Sequence, residues 1–133
     1  MNTTEDQKIK ELLAKYAKSI DEASTTLAAE VWSQSSEVSF IHPRGNEHGW
    51  EEIKNFWVQA MGETFSERKI DIFDVTINVY DRTAVAVFNW HFAATFRKDG
   101  SPWEAYGRET DVFCKNDQNE WAMVHGHYSR KPE

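Results

Sequence analysis

Two carboxylic acids, Glu109 and Asp111, stand two residues apart in a β-rich stretch of the sequence. Alternate residues of a strand point to the same face of a sheet, so both carboxyl groups project in one direction. Neighbouring carboxyl groups in an apolar surrounding hold a proton more tightly than exposed ones, which suits general acid–base catalysis near neutral pH. We therefore predict a proton-transfer site with Asp111 as the base and Glu109 or Tyr128 as the donor. The alternative is a structural role, in which the two acids form ion pairs with Arg108, Lys115 or a helix residue.

Other side chains with suitable chemistry are spread along the chain. His42 ends a short predicted strand before a Pro-Arg-Gly turn, near where a pocket could open, and is a candidate acid or base. Tyr128 is a further candidate, because its hydroxyl can orient a ligand. Aromatic side chains are the candidate walls of a ligand pocket, namely Tyr16, Trp57, Trp90 and Trp103. Packing in an ordinary core is the alternative for each of these aromatic residues.

Metal and cofactor chemistry has less support in the sequence. His125 and His127 alternate on a predicted strand, and with His91 or an acid beside them they could hold zinc. No third ligand stands at a diagnostic spacing, and Cys114, the single cysteine, cannot form a cysteine zinc site. We therefore predict no metal and no cofactor, with a zinc hydrolase as a third alternative.

The composition narrows the functional class. The 133 residues include 15 Lys and Arg against 22 Asp and Glu, and the net charge of −7 argues against binding to nucleic acid. No apolar run approaches the roughly 20 residues of a membrane span, and the first residues lack the pattern of a secretory signal. The single cysteine excludes an intramolecular disulfide framework. We expect a cytoplasmic protein that binds a small molecule, and neither nucleic acid nor a membrane.

The elements that position these residues fall into two halves. Apolar residues at three- and four-residue steps predict a first helix, whose stripe is Ile9, Leu12, Leu13, Tyr16 and Ile20. Thr3 or Thr4 could cap this helix. Shorter helices are predicted over residues 25–33 and 50–61, with a short strand over 38–42 between them. From residue 69 onward, three turn clusters separate four β-rich runs, which predicts a meander of antiparallel strands.

Helices followed by strands predict an α+β fold, with three N-terminal helices packed on one face of a curved antiparallel sheet. The residues of the inner face follow from the turn lengths, if Asp81-Arg82 is a two-residue turn and the other two turns have an even number of residues. The predicted inner face then contains Phe73, Val75, Ile77, Val79, Phe88, Trp90, Phe92, Phe96, Trp103, Glu109, Asp111, Phe113, Val124, Gly126 and Tyr128. A carboxylate in a closed apolar core is costly, so the two acids on this face predict a cavity beside them.

The order of elements and the last third of the chain carry a resemblance. Residues 107–129 read GRETDVFCKNDQNEWAMVHGHYS. Together with the preceding helix–helix–strand–helix order, this segment resembles the SnoaL-like branch of the nuclear transport factor 2-like superfamily. That superfamily includes ketosteroid isomerases, polyketide cyclases and dehydratases. The closing pattern, Glu-Thr-x-Val-aromatic followed by Trp-x-x-Val-His-x-His-x-Ser, is also similar to the association domain of calcium/calmodulin-dependent kinase II.

The resemblance implies one SnoaL-like domain over residues 1–133, a cone-shaped sheet with a pocket between sheet and helices, and a homodimer formed through the outer sheet face. It implies either a proton-transfer enzyme of the isomerase, cyclase or dehydratase type on a small, largely apolar ligand with a polar head, or a non-catalytic dimerisation or ligand-binding module. The pocket of the kinase association domain carries arginines, whereas the corresponding positions here are Asp111 and Tyr128, with His91 as a third. These positions argue against an anion-binding pocket.

Overall fold

Three helices and a six-stranded sheet make up the computed structural model, which describes residues 4–132. The helices are α1 (Glu5–Asp21), α2 (Thr25–Val31) and α3 (Gly49–Phe56), and a π-helical segment (Trp57–Glu63) continues α3. The strands are β1 (Ser39–His42), β2 (Gly45–His48), β3 (Phe65–Tyr80), β4 (Thr83–Phe96), β5 (Pro102–Lys115) and β6 (Trp121–Arg130). The predicted α+β class is confirmed. Strand β2 is an addition, because the sequence interpretation treated the residues after Pro43 as a turn.

Helix α1 begins at a cap and presents the predicted apolar stripe. The hydroxyl of Thr4 accepts a hydrogen bond from the backbone N–H of Gln7 at 3.1 Å, which is a typical helix N-terminal cap. Thr3, the other candidate cap, lies outside the described residues. The residues that α1 buries are Ile9, Leu13, Tyr16, Ser19 and Ile20. Among the described residues, no helix is both long and apolar enough to cross a membrane.

The chain after α3 departs from the helix predicted over residues 50–61. The α-helix ends at Phe56, and the π-helical segment Trp57–Glu63 follows without a break. π-Helical turns are rare and frequently occur at functional sites. Here the segment brings Ala60 and Met61 to the wall of the cavity described below.

The sheet has the strand order β2-β1-β6-β5-β4-β3. Hairpins join β3, β4, β5 and β6 in sequence, as the three turn clusters predict, and these pairings are antiparallel. Strand β1 runs parallel to β6, with Ile41 opposite His127, so the sheet is mixed rather than wholly antiparallel. The sheet is curved and does not close into a barrel, and the helices cover its inner face.

A β-bulge in β3 reverses part of the predicted inner face. Asp74 and Val75 stand opposite the single residue Phe88, and Asp74 adopts a positive φ of 55°. One extra residue shifts the alternation of side chains along the strand. The inward placement of Phe73 and Val75 is therefore wrong, since they are 43% and 40% exposed. Ile70 takes their place on the inner face and is 6% exposed.

Two departures from the predicted pairing cancel between β5 and β6. The turn over residues 116–120 has five residues instead of an even number, which by itself would exchange the faces. A bulge at Val124 adds one residue to β6 and restores the predicted alternation beyond it. Gly126 and Tyr128 therefore lie on the inner face as predicted. Val124 itself was placed wrongly, because Met123 is the fully buried residue at this position.

Candidate functional site

A cavity of about 310 Å³ lies between the sheet and the helices. Its wall is built from α1, the π-helical segment and strands β1, β3, β4, β5 and β6, so segments from both ends of the chain meet there. The predicted site residues that line it are Tyr16, His42, Trp90, Trp103, Glu109 and Tyr128. The remaining predicted site residues lie elsewhere.

Asp111 and Trp57 lie behind the cavity wall rather than in it. Trp57 is fully buried, and its indole N–H donates a hydrogen bond to the hydroxyl of Ser19 at 3.1 Å, so it packs in the core. Asp111 is also fully buried and follows Glu109 by two residues on the inner face of β5. The two predicted acids therefore come together inside the protein, but only Glu109 reaches the cavity.

The two carboxyl groups are short of partners. Glu109 is 3% exposed and Asp111 is 0% exposed. One oxygen of Glu109, Oε2, and both carboxyl oxygens of Asp111 lack a hydrogen-bond partner among the described residues. The alternative of ion pairs with Arg108 or Lys115 is not realised, because Arg108 binds a serine hydroxyl and Lys115 binds a glutamate of α1.

Burial governs the protonation of this pair. An unpaired carboxylate in an apolar region is costly, so the neutral form is favoured. Burial raises the pKa of Glu109, while contacts with Asp111 and Tyr16 act in the opposite direction. Burial raises the pKa of Asp111 well above its usual range, and the neighbouring Glu109 raises it further. Burial therefore favours the neutral form of both acids, and their proximity opposes ionising the two together.

A glycine opposite Asp111 leaves room for the buried pair. Gly126 of β6 pairs with Asp111 of β5. A Cβ atom at Gly126 would lie 3.0 Å from Oδ1 of Asp111 and 2.6 Å from the terminal methyl group of Met123. A larger residue would therefore press on the carboxyl group and on the core below it.

Proton-bearing groups line the cavity around Glu109. Tyr128 stands directly opposite Glu109 in the β5–β6 pairing, and Tyr16 approaches it from α1. Burial raises the pKa of both tyrosines, and the charge of Glu109 raises each further, so both hydroxyls remain protonated. The indole N–H of Trp90 is buried and has no hydrogen-bond partner among the described residues. Such a donor is uncommon in folded proteins, and it is suited to bind a ligand oxygen.

His42 is fixed in the wall by contacts on every side of its ring. Its Nε2 lies 2.7 Å from Oε2 of Glu47, and its Nδ1 accepts a hydrogen bond from the backbone N–H of Arg44 at 3.3 Å. With Nδ1 as the acceptor, Nε2 carries the ring proton and donates a hydrogen bond to Oε2 of Glu47. The imidazole also packs against Phe56 and Tyr128, with centroid distances of 4.5 and 6.3 Å. These contacts hold the ring as a part of the cavity wall.

The sequence analysis missed two arginines and one glycine at this site. Arg44 and Arg130 are exposed residues that line the cavity, although no arginine was predicted there. Gly107 pairs with Trp90 across β4 and β5. A Cβ atom at Gly107 would lie 2.2 Å from Cζ2 of Trp90 and 2.1 Å from the carbonyl oxygen of Ser129. A glycine inside a strand signals such a close approach, so the sequence did contain a signal for Gly107.

We expect Gly107→Ala to destabilise the protein. The added methyl group would overlap a backbone carbonyl and the Trp90 indole, and overpacking of this kind costs about 1–3 kcal/mol. Urea denaturation should record this loss in the free energy of unfolding. Gly62→Ala is the control, because its new methyl group would lie 3.7 Å from the nearest atom. Equal stability of the two variants would contradict close packing at Gly107.

His91, His125 and His127 lie on the outer face of the sheet, away from the cavity. Nδ1 of His125 is 2.7 Å from the hydroxyl of Ser39, and Nε2 of His91 is 2.8 Å from Oε2 of Glu104. Among the described residues, no group of three or more His, Cys, Asp or Glu side chains is arranged to hold a metal ion. These histidines belong to the outer surface of the sheet.

Comparison with known proteins identifies the family of this chain. The model of the SnoaL-like domain family matches residues 9–132, which include the whole cavity wall. The chain belongs to the SnoaL-like domain family. A nuclear transport factor 2-like superfamily protein from Salmonella enterica serovar Typhimurium is 43% identical over 96% of this chain and 91% of its own, with a TM-score of 0.92. No curated protein sequence matches the chain significantly.

More distant solved structures share the SnoaL-like fold. A candidate calcium/calmodulin-dependent protein kinase II association domain from Xanthomonas campestris is 19% identical over 98% of this chain and 91% of its own, with a TM-score of 0.80. The LinA-type3 hexachlorocyclohexane dehydrochlorinase from Novosphingobium barchaimii is 9% identical over 96% of this chain and 86% of its own, with a TM-score of 0.84. The predicted family and superfamily are confirmed. At these identities the two distant structures show the fold alone, and one fold hosts different functions.

Proposed function

We propose that this protein binds a small, largely apolar molecule and transfers a proton within it, with Glu109 as the group that takes and returns the proton. The reaction is an isomerase-, cyclase- or dehydratase-like proton transfer beside a carbonyl group. Asp111, the base of the sequence prediction, becomes the residue that tunes Glu109, because only Glu109 lines the cavity.

The observation that carries this proposal is the state of the Glu109 carboxyl group. It lines the cavity, is almost fully buried and has an oxygen without a hydrogen-bond partner among the described residues. A purely structural carboxylate at this depth is normally neutralised by a base or by several donors. A carboxyl group whose pKa is raised by burial can take and release a proton near neutral pH.

The surrounding groups can stabilise the charge that the transfer creates. When Glu109 takes a proton from a carbon beside a carbonyl group, negative charge moves to the carbonyl oxygen. Trp90 and Tyr128 line the same cavity, and we propose the indole N–H, which has no partner among the described residues, and the tyrosine hydroxyl as the donors to that oxygen. Glu109 then returns the proton to another carbon, which completes an isomerisation, or to a departing hydroxyl group, which leaves as water.

Asp111 supports this role from behind the cavity wall. Burial favours the protonated form of its carboxyl group. Contact with Asp111 lowers the pKa of Glu109 against the rise that burial causes, and we assign the exchanging proton to Glu109 because it is the acid of the pair that lines the cavity. Tyr16, Trp103 and His42 complete the binding surface for the ligand.

Exchange with deuterated water tests the proposal before the substrate is known. The protein is incubated in D₂O with a panel of small ketones, enones and 2-oxo acids that carry a phenyl or cyclohexyl group. Proton NMR then follows the loss of signals beside the carbonyl group. We expect catalysed exchange for at least one compound. Exchange at the buffer rate for every compound that binds would refute a proton-transfer function.

A non-catalytic dimerisation or ligand-binding module is the second candidate, and apolar residues on the outer sheet face favour it. Phe73, Val87 and Tyr106 are 43%, 44% and 49% exposed, and they stand on β3, β4 and β5. We propose that a homodimer forms through this face, whether or not the pocket is catalytic. We also propose a cytoplasmic location, which suits a chain with one cysteine.

Sedimentation equilibrium tests the proposed dimer and should give twice the mass of one chain. Val87→Lys introduces a charge in the middle of the outer face and should yield monomers. Tyr80→Lys is the control, because Tyr80 is 62% exposed at the end of the β3–β4 hairpin. A monomeric unsubstituted protein, or an undisturbed dimer in the Val87 variant, would contradict an interface on this face.

A further inference from the structure

Two arginines lie at the same end of the cavity. Strands β1 and β6 run parallel, with Ile41 opposite His127. Arg44 and Arg130 each follow that pair by three residues, so the parallel strands carry both to the same end of the sheet. Both are exposed, and both line the cavity. Two guanidinium groups therefore flank its opening to solvent.

No described acidic side chain neutralises these two charges. Neither Arg44 nor Arg130 forms a salt bridge among the described residues, and the carboxylate of Glu47 nearby is occupied by His42 at 2.7 Å. Glu109, the acid inside the cavity, is buried and favours its neutral form. The chain as a whole carries a net charge of −7. A positive opening on such an acidic protein is a local feature and does not reflect the average surface.

Arg130 is also oriented towards the cavity before any ligand arrives. Its guanidinium carbon lies 5.6 Å from the centre of the Trp103 ring, and Trp103 is itself part of the cavity wall. Stacking on an aromatic ring restricts the guanidinium while leaving its N–H groups free to bind an anion. Arg44 lies two residues after His42. The His42 ring is held by its contact with Glu47 and by the hydrogen bond that it accepts from the backbone N–H of Arg44.

We infer that the ligand of this cavity is a small carboxylic acid, whose carboxylate binds Arg44 and Arg130 at the opening while its apolar body extends inward to Trp90 and Glu109. Guanidinium groups bind carboxylates through paired, charge-assisted hydrogen bonds. The cavity of about 310 Å³ is at the small end of ligand pockets, which fits a body of one ring. The inference names the substrate class for the proposed function and rests on that function only in placing the reactive end of the ligand beside Glu109.

The positions of these two arginines differ from the arginine positions of the kinase association domain considered in the sequence analysis. Asp111 and Tyr128 occupy the positions where arginines were sought, and those positions do argue against an anion deep in the pocket. Arg44 and Arg130 come from the β1–β2 turn and the end of β6. The anion site is therefore placed at the opening, and the apolar and acidic groups occupy the interior.

Matched acid and amide probes test this inference. Calorimetry and NMR titration are used to compare 3-phenylpropionate with 3-phenylpropionamide, and cyclohexylacetate with cyclohexylacetamide. We expect at least one acid to bind about tenfold or more tightly than its amide, with an affinity that falls as salt is added. The Arg44→Gln/Arg130→Gln double variant should lose this preference while its affinity for the amide stays unchanged. Equal affinity of acid and amide, or no binding by any acid at millimolar concentration, would overturn the inference.

Two further variants distinguish the carboxylate site from an effect of net charge and from the proposed proton transfer. Lys18→Gln/Lys54→Gln removes the same total charge from exposed positions on α1 and α3 and should keep the preference for acids. Loss of the preference in this control would assign it to net charge and overturn the site. Glu109→Gln should also keep the preference for acids, whatever its effect on proton exchange. Failure of the proposed proton transfer is therefore distinguishable from failure of the carboxylate site.

Discussion

Glu109→Gln is expected to lower the rate of catalysed proton exchange by about 10²–10⁴-fold. The amide has nearly the shape of the carboxyl group, so the cavity and its ligand affinity should be retained, but an amide cannot take up the proton. The rate is measured as deuterium incorporation into a responsive ketone, and the affinity for the same ketone is measured in parallel. Lost exchange with unchanged affinity would identify Glu109 as the proton carrier.

Asp111→Asn is the matched comparison for this experiment. The amide has nearly the shape of the carboxyl group, and Asp111 does not line the cavity, so the loss of exchange should stay below about tenfold. The pH at which exchange reaches half its maximum should change, because contact with Asp111 lowers the pKa of Glu109. If Asp111→Asn abolishes exchange and Glu109→Gln does not, then Asp111 is the base, as the sequence predicted, and the proposed role of Glu109 is wrong.

The features of this fold that the sequence predicted are those with a local periodic signal. The stripe of α1 repeats every three or four residues, and the structure buries Tyr16 within it. Turn clusters delimit the long hairpins. The inward placement of Glu109 and Tyr128 followed from alternation along β5 and β6, and the structure confirms it. For Tyr128 it was confirmed through two compensating departures, a five-residue turn and a bulge at Val124, which no local pattern announced.

The features that the sequence did not predict depend on contacts between distant segments. The bulge at Asp74 turned Phe73 and Val75 outward, because a single extra residue inverts a strand with period two. Arg44 reaches the cavity because β1 pairs in parallel with β6. The pattern of residues within either strand does not predict this pairing. Trp57 satisfied the same aromatic pattern as Trp90, and only its hydrogen bond to a core serine shows that it packs inside.

The buried acids also predict an unusual dependence of stability on pH. Burial raises the pKa of Asp111 well above the usual value of 3.8. Below that value both the folded and the unfolded chain hold the proton, and the contribution to stability is fully present. At higher pH the unfolded chain releases the proton while the folded chain retains it or must ionise a buried group, so stability falls as pH rises. Each proton retained in this way changes the free energy of unfolding by about 1.4 kcal/mol per pH unit.

Asp111→Asn removes this titration, because the amide does not ionise. We expect the free energy of unfolding of the wild-type protein to fall relative to the variant as the pH rises above the usual carboxyl pKa of 3.8, by up to about 1.4 kcal/mol per unit. Urea denaturation at fixed pH values provides the measurement. Parallel curves for the two proteins across this range would mean that Asp111 titrates alike in the folded and unfolded chains. The carboxyl pair would then be hydrated inside the protein, and Glu109 would lose the dry surrounding that raises its pKa and equips it to carry a proton.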